Sequence, residues 1–381
     1  MEAYLDNSAT TRVDAQVQEL MKKLMDIDFG NPSSRHQKGV VAEGYIKEAR
    51  QKIAATLKVD PKELIITSGG TESNNMALIG TALAAKRKGN HIITTAVEHP
   101  SVKATASFLE EQGFRITFLS VDSRGQISLE DLKEALTPDT ILVSIMYVNN
   151  EIGTIQPVEE AAKLVHATVP GAVFHVDAIQ AYGKVMIRPK QQGIDLLSVS
   201  SHKFHGPKGA GFLYCSSKVN LHPIIFGGGQ QSGMRSGTEN VAGIVGMEQA
   251  AIQSIKNMSY RMQKEQYLRN YLINRVMNEI DDVKLNGHKF KRLPGNANFS
   301  FKNINAAKLV EDMGNEGICI SAGSACAAAG GKPSQVIMAI NVQKEYAYGT
   351  VRITISHENT RDEIDRTVEI MKKLIKLQRE Q

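Results

Sequence analysis

"IDLLSVSSHKFHGPKGAGFLYC", residues 194–215, decides the fold. Its first seven residues are an apolar, β-branched run of strand length, and "GAGFLYC" (209–215) is a second such run. The few polar residues and glycines between them are too short for a crossover helix, so these two strands must run antiparallel. Upstream the spacing is different. "ELIIT" (63–67), "HIITT" (91–95), "FRITFLS" (114–120), "TILVSIMYV" (140–148) and "AVFHV" (172–176) alternate with helical patterns from Thr71 to about Arg87, from about Ser101, and near 128–136. Several of these runs are apolar throughout, as strands covered on both faces are. The chain therefore reads as α/β, with a large sheet that is mostly parallel but mixed.

From about Val241 one long helical pattern runs to about Ile280, and a second α/β pattern follows with "NANFSFK", "GICISA" and "TVRITIS" as its strands. A domain boundary near 255 is expected inside that helix. At 381 residues the chain can bury the core of one large and one smaller domain. Its charge of +5 and 42% apolar composition are those of an ordinary soluble protein, without the basic, aromatic-interleaved runs of a nucleic-acid groove. The N-terminus has neither the basic nor the apolar region of a signal peptide, and no apolar run approaches the roughly 20 residues of a membrane span. Cys215, Cys319 and Cys326 form neither a zinc spacing nor an even disulfide set, so no metal site is expected and a reducing, cytoplasmic setting is.

In an open α/β sheet, ligands sit beyond the carboxyl ends of the strands. The residues there are dense in chemical function. "SGGTESNN" offers two glycines and a helix start at Thr71, suited to a phosphate or simply to a tight turn capped by Thr71. His99 follows "HIITT", and Asn149, Asn150 and Glu151 follow "SIMYV". Asp177 ends an apolar strand, where a carboxylate needs a partner, and Gln180 lies three residues on. Lys203 follows the run that ends at Ser200, beside His202. A lysine there snorkels to water or, if kept dry, has a lowered pKa and can form a Schiff base. "GGGQQSGMRSGTEN" (227–240) is a second loop suited to an anion. Taken together, these are the needs of pyridoxal 5'-phosphate: a phosphate cradle, a lysine for the aldehyde, an acid for the ring nitrogen and a ring-facing imidazole.

"YLDNSATT", "FGNPSS", "TSGGTES", "VNNEIG", "HVDAIQ", "SSHKFHGPKG", "GMRSGTEN" and "SAGSACA", in this order, resemble the cysteine desulfurase family from Tyr4 to about Ser356. The resemblance implies the aspartate-aminotransferase fold (fold type I), a homodimer and the cofactor pyridoxal 5'-phosphate. It divides the chain into a large cofactor-binding domain over 14–255 and a small domain over 1–13 and 256–381 that carries the cysteine loop. It implies Lys203 as the Schiff-base lysine, Asp177 on the pyridinium nitrogen, Gln180 on the phenolic oxygen and His99 on the ring face. The phosphate would rest on Gly70, Thr71, Ser200 and His202, with Thr238 reaching in from the second subunit. Asn150 would line the pocket, and Asn31 and Arg352 would hold the substrate carboxylate.

Cys326 would take sulfur from L-cysteine as a persulfide, leaving L-alanine. It would pass the sulfur to an acceptor protein, an iron–sulfur scaffold or a tRNA-thiolation protein. "AGSACA" and "RSGT" are similar to the group with the longer, mobile cysteine loop, and the Ala, Gly and Ser around Cys326 suit such travel. Ala327, Ala328 and Ala329 stand where many relatives have hydroxyl residues. A selenocysteine lyase, or another fold type I pyridoxal-phosphate enzyme, is the alternative expectation. Cys215 and Cys319 read as structural thiols.

Overall fold

A computed structural model of the chain describes residues 2–323 and 333–380. Among these described residues twelve strands follow in chain order: β1 (Ala3–Tyr4), β2 (Leu64–Thr67), β3 (His91–Thr95), β4 (Arg115–Leu119), β5 (Thr140–Met146), β6 (Val173–Asp177), β7 (Leu196–Ser200), β8 (Gly211–Cys215), β9 (Val283–Leu285), β10 (Asn296–Phe301), β11 (Ile318–Cys319) and β12 (Thr350–Thr354).

Seven of them form the large sheet in the order β2-β8-β7-β6-β5-β3-β4. Every pair is parallel except the two made by β8, which runs against both β2 and β7. The short link after Ser200 thus does what its length requires. Strands β5, β6 and β7 are buried almost end to end, which explains their unbroken apolar character. Helices cover the sheet, among them Gly70–Ala85, Pro100–Glu111 and Val158–Thr168.

A separate core gathers Ala3 and Leu5 with residues from Leu268 to Ile375. Here β12, β10 and β9 form an antiparallel sheet, while β1 and β11 pair in parallel and reach β12 through the bridges Asp6–Thr354 and Ser321–Arg352. The N-terminal strand thus packs with residues more than 300 positions away. The expected strand in "GICISA" is only Ile318–Cys319.

The single long helix expected over 241–280 is two, Val241–Lys256 and Met258–Glu279, which meet at Asn257. Asn257 has φ −100° and ψ 7°, so the backbone turns there without glycine or proline. No helix among the described residues is long and apolar enough to cross a membrane.

Candidate active site

The carboxyl ends of β5, β6 and β7 open into a cavity of about 300 Å³, at the lower end of the usual size for a ligand site. Ser8 and Ala9 close it from the N-terminal segment. The walls include Gly70, Thr71, His99, Asn150, Asp177, Gln180, Ser200, His202, Lys203 and Arg352, so ten of the residues expected from sequence meet here. Asn31 and Thr238 do not. Both are exposed and apart from the cavity of their own chain. Cys326 lies outside the described residues.

Lys203 ends a short 3-10 turn that follows β7. Its Nζ donates to the backbone oxygens of Ser8 (2.6 Å) and Ala9 (2.7 Å), so no carboxylate neutralises it directly. Burial, helped by the positive charges of Lys184 and Arg352, pulls its pKa down to about 7. The amine is therefore substantially neutral near physiological pH, which a nucleophilic amine requires.

Asp177 is the last residue of β6 and is almost fully buried. Its oxygens accept from the Ile179 backbone N–H (3.0 Å) and from Asn74 Nδ2 (2.8 Å). Burial pushes its carboxyl pKa up, while His99, those hydrogen bonds and Lys203 oppose the rise. Gln180 donates to Ser8 O (3.0 Å), and its buried Oε1 has no partner among the described residues.

The cradle at the start of helix Gly70–Ala85 depends on missing side chains. Gly69 has φ +150°. A Cβ on Gly70 would lie 2.1 Å from Ile179 Cδ1, and one on Gly211 would lie 2.7 Å from Gly69 Cα. The helix N-cap is Gly69 rather than Thr71, and no side chain caps it, which leaves its first N–H groups to a ligand. A salt bridge from Glu72 to Arg235 (2.8 Å) ties this helix to the second glycine-rich loop. That loop is fixed through Gln231, whose Oε1 accepts from Arg50 (2.7 Å) and from the Ile66 N–H (3.0 Å).

His99 caps helix Pro100–Glu111, and burial holds its pKa below the usual histidine value. His202 bonds Thr10 Oγ1 (3.2 Å), and burial together with Lys203 takes its pKa to about 4, so this imidazole is neutral. Arg352, on β12, is almost dry. Its Nη2 pairs with Asp6 (2.7 Å) and its Nη1 reaches Asn150 O (3.1 Å).

Five residues that sequence reading did not single out complete the site: Asp6, Asn74, Glu98, Ser101 and Lys184. Glu98 accepts from Thr95 Oγ1 (2.8 Å) and the Met146 N–H (2.9 Å), and burial raises its pKa to about 8. The neighbouring turn is locked by Asn149, whose Oδ1 accepts from the N–H groups of Glu151 (2.9 Å) and Ile152 (3.0 Å) while its Nδ2 donates to Val97 O (2.9 Å).

A half-buried, low-pKa lysine, a buried carboxylate, a side-chain-free helix start and a neutral imidazole on one cavity are the donor set pyridoxal phosphate needs. The buried, unpartnered Gln180 Oε1 on the same wall marks a place for a polar group of a ligand. Fold and site together define a pyridoxal-phosphate enzyme of fold type I.

Residues 3–367 match the aminotransferase class-V family. A relative from Dictyoglomus turgidum named cysteine desulfurase IscS is 45% identical over 98% of this chain and 94% of its own. A solved structure titled NifS-like protein superposes with a TM-score of 0.94 at 37% identity, over 99% of this chain and all of that one. A second, titled SspA in complex with cysteine, is 35% identical with a TM-score of 0.82, over 93% of this chain and 98% of its own. The chain belongs to the aminotransferase class-V family and, within it, to the cysteine desulfurases.

Proposed function

We propose that this cysteine desulfurase uses Lys203 as the lysine that holds pyridoxal phosphate and Cys326 as the thiolate that receives sulfur. The reaction converts L-cysteine to L-alanine. The Cβ–S bond breaks, a Cys326 S–S bond forms, and the proton of the substrate thiol is balanced by the new hydrogen on carbon. The bound cofactor supplies an electron sink for the substrate's Cα. The lowered pKa of Lys203 is the observation that carries this reading, because it makes a neutral amine available in a water-poor cavity.

Around it, Asp177 would keep the ring nitrogen protonated, Gln180 would hydrogen-bond the phenolic oxygen and His99 would contact the ring. Gly70, Thr71, Ser200 and His202 would hold the phosphate, and Asn150 lines the pocket. Arg352 and Asn31 take the substrate carboxylate, for which a guanidinium offers a two-pronged fit. The solved relative's title, in complex with cysteine, supports this substrate class. We divide the chain into a cofactor domain over 14–255 and a smaller one over 1–13 and 256–381, consistent with the separate core that gathers Ala3 with residues from Leu268 to Ile375.

We also propose a cytoplasmic homodimer that hands sulfur to an acceptor protein for iron–sulfur clusters or tRNA thiolation. Thr238 and Asn31, exposed and off their own cavity, suit sites completed by a second copy. The exposed apolar side chains of Met25, Ile27 and Phe29, just before Asn31, suit the same role. An aminotransferase would give Cys326 no work.

The test is to incubate the holoenzyme with L-cysteine and a reducing thiol and to measure sulfide and alanine. Equal amounts of both are expected. Cys326→Ser should lose sulfide release and keep the colour of the bound cofactor. Turnover of selenocysteine with none of cysteine would overturn the assignment.

A further inference from the structure

Asp177 and His99 are joined by a chain of hydrogen bonds through two residues outside the cofactor cavity. Asn74 Nδ2 donates to Asp177 Oδ2 (2.8 Å) and to Ser101 Oγ (2.9 Å). Ser101 Oγ lies 2.8 Å from His99 Nδ1, and the Ser101 backbone N–H reaches the same nitrogen at 3.1 Å. The four residues come from three elements: helix Gly70–Ala85, the end of β6, and the cap and first turn of helix Pro100–Glu111. Asn74 is fully buried, Ser101 nearly so.

Each bond in this chain has one possible direction. An ionised carboxylate only accepts, so the Asn74 amide must present its nitrogen to Asp177. The second proton of that nitrogen then goes to Ser101 Oγ, whose own hydroxyl proton is left for His99. The backbone N–H of Ser101 can only donate, so Nδ1 must offer a lone pair. A proton on Nδ1 would face that N–H head on. The orientation has a cost: Asn74 Oδ1 is buried and without a partner among the described residues. An amide held with its oxygen unsatisfied is being oriented for what its nitrogen gives.

We propose that Asn74 and Ser101 are positioning residues that fix His99 as its Nε2–H tautomer, so that its one free polar atom carries a proton to donate and no lone pair to abstract one. The chemical consequence rests on the desulfurase reading above. Removal of the substrate's Cα proton then falls to the Lys203 amine. His99 supplies a hydrogen bond from its Nε2–H. Two carboxyl-end groups that both look like bases in the sequence thereby acquire opposite duties, set by residues that touch neither substrate nor cofactor.

The tautomer can be read directly. In full-length protein carrying 15N-labelled histidine, with and without pyridoxal phosphate, two-bond 1H–15N correlations report each ring nitrogen. The His99 signals are identified by their loss in His99→Gln. At neutral pH we expect an unprotonated Nδ1 and a protonated Nε2. Ser101→Ala removes the hydroxyl's hydrogen bond and keeps the backbone N–H, so it should move the Nδ1 shift toward that of a less hydrogen-bonded lone pair while Nε2 stays protonated, and Ser101→Thr should restore it. In the holoenzyme Ser101→Ala should lower kcat by part of the roughly 100-fold a positioned hydrogen-bond donor contributes, with KM for cysteine nearly unchanged. A protonated Nδ1 in the parent protein, or His99 shifts that ignore Ser101→Ala, would overturn the proposal. A parent that releases no sulfide from cysteine would instead overturn the desulfurase reading, while the tautomer is still decided by the spectra.

Discussion

Arg352 Nη2 stands 2.7 Å from Asp6 Oδ1, and this ion pair of a buried guanidinium with a partly exposed carboxylate joins β12 to the N-terminal segment whose carbonyls hold Lys203. The carboxylate is the charged partner of a buried guanidinium. Asp6 also opposes the repulsion that Arg352 exerts on Lys203. Removing Asp6 leaves Arg352 with the Asn150 carbonyl and Asp6's two effects undone.

Asp6→Ala is accordingly expected to cost about 1.5–3 kcal/mol, the range for a hydrogen bond to a charged group. A thermal melt should show the midpoint several degrees lower, and the Lys203 amine should titrate at still lower pH. An unchanged melt would mean that water replaces the carboxylate without loss.

Lys203 should react as an amine with a pKa of about 7. In the cofactor-free protein its modification by an amine-directed reagent should rise with pH around neutrality, well before that of surface lysines. Lys184 is the first positive charge that depresses it. Lys184→Gln removes that repulsion, so the titration should move to higher pH. The buried Glu265 left behind already has a pKa raised to about 7 and can take a proton instead of a counter-ion. A titration that stays in place would show that Lys184 is not among the causes of the low Lys203 pKa.

How far such a site can be read from sequence depends on how its contacts are spaced along the chain. The β7–Lys203–β8 unit was legible because apolar runs and a short polar link sit side by side, and chemistry-bearing residues follow strand ends. The motif series carried the family. Asp6 and Arg352 are 346 positions apart and Asn74 and Asp177 are 103 apart, and no local pattern pairs them. Ser101 looks like any residue in a helix's first turn until its backbone N–H is seen to settle the protonation of His99. The break at Asn257 was hidden for a different reason: helical patterning continues through it, without a glycine or proline to mark the turn.

Gly211→Ala tests the packing beneath the phosphate cradle. Its Cβ would lie 2.6 Å from Val199 O and 2.7 Å from Gly69 Cα, both backbone atoms that cannot swing away. Relief requires β8 to shift against β7 or the Gly69 turn to rise. Either moves the start of helix Gly70–Ala85. Affinity for pyridoxal phosphate, followed by absorbance on titration of the apoprotein, should fall by at least tenfold, equivalent to about 1.4 kcal/mol. Affinity equal to the parent's would show that the cradle is not built on this close approach.

The histidines predict acid sensitivity. His175, between Ser144 Oγ (2.8 Å) and Ser198 Oγ (2.9 Å), is fully buried in the centre of the sheet, and burial lowers its pKa to about 3. His91, His202 and His357 are lowered to about 4 and His205 to about 3 by the same cause, with cationic neighbours adding to it at each. For a group whose folded pKa lies below its unfolded 6.5, the unfolded chain binds more protons throughout that interval. The stability these residues confer is whole above pH 6.5 and is lost as pH falls toward 3 to 4. Each such histidine contributes up to about 1.4 kcal/mol per pH unit in that window, less where the ring is partly solvated. Denaturation followed by circular dichroism should therefore show stability declining steadily below pH 6.5. His175→Gln keeps a hydrogen-bonding side chain and cannot titrate, so it should make that decline shallower even if it lowers stability at neutral pH. A decline of unchanged steepness in His175→Gln would mean that the buried imidazole is not among the groups that drive it.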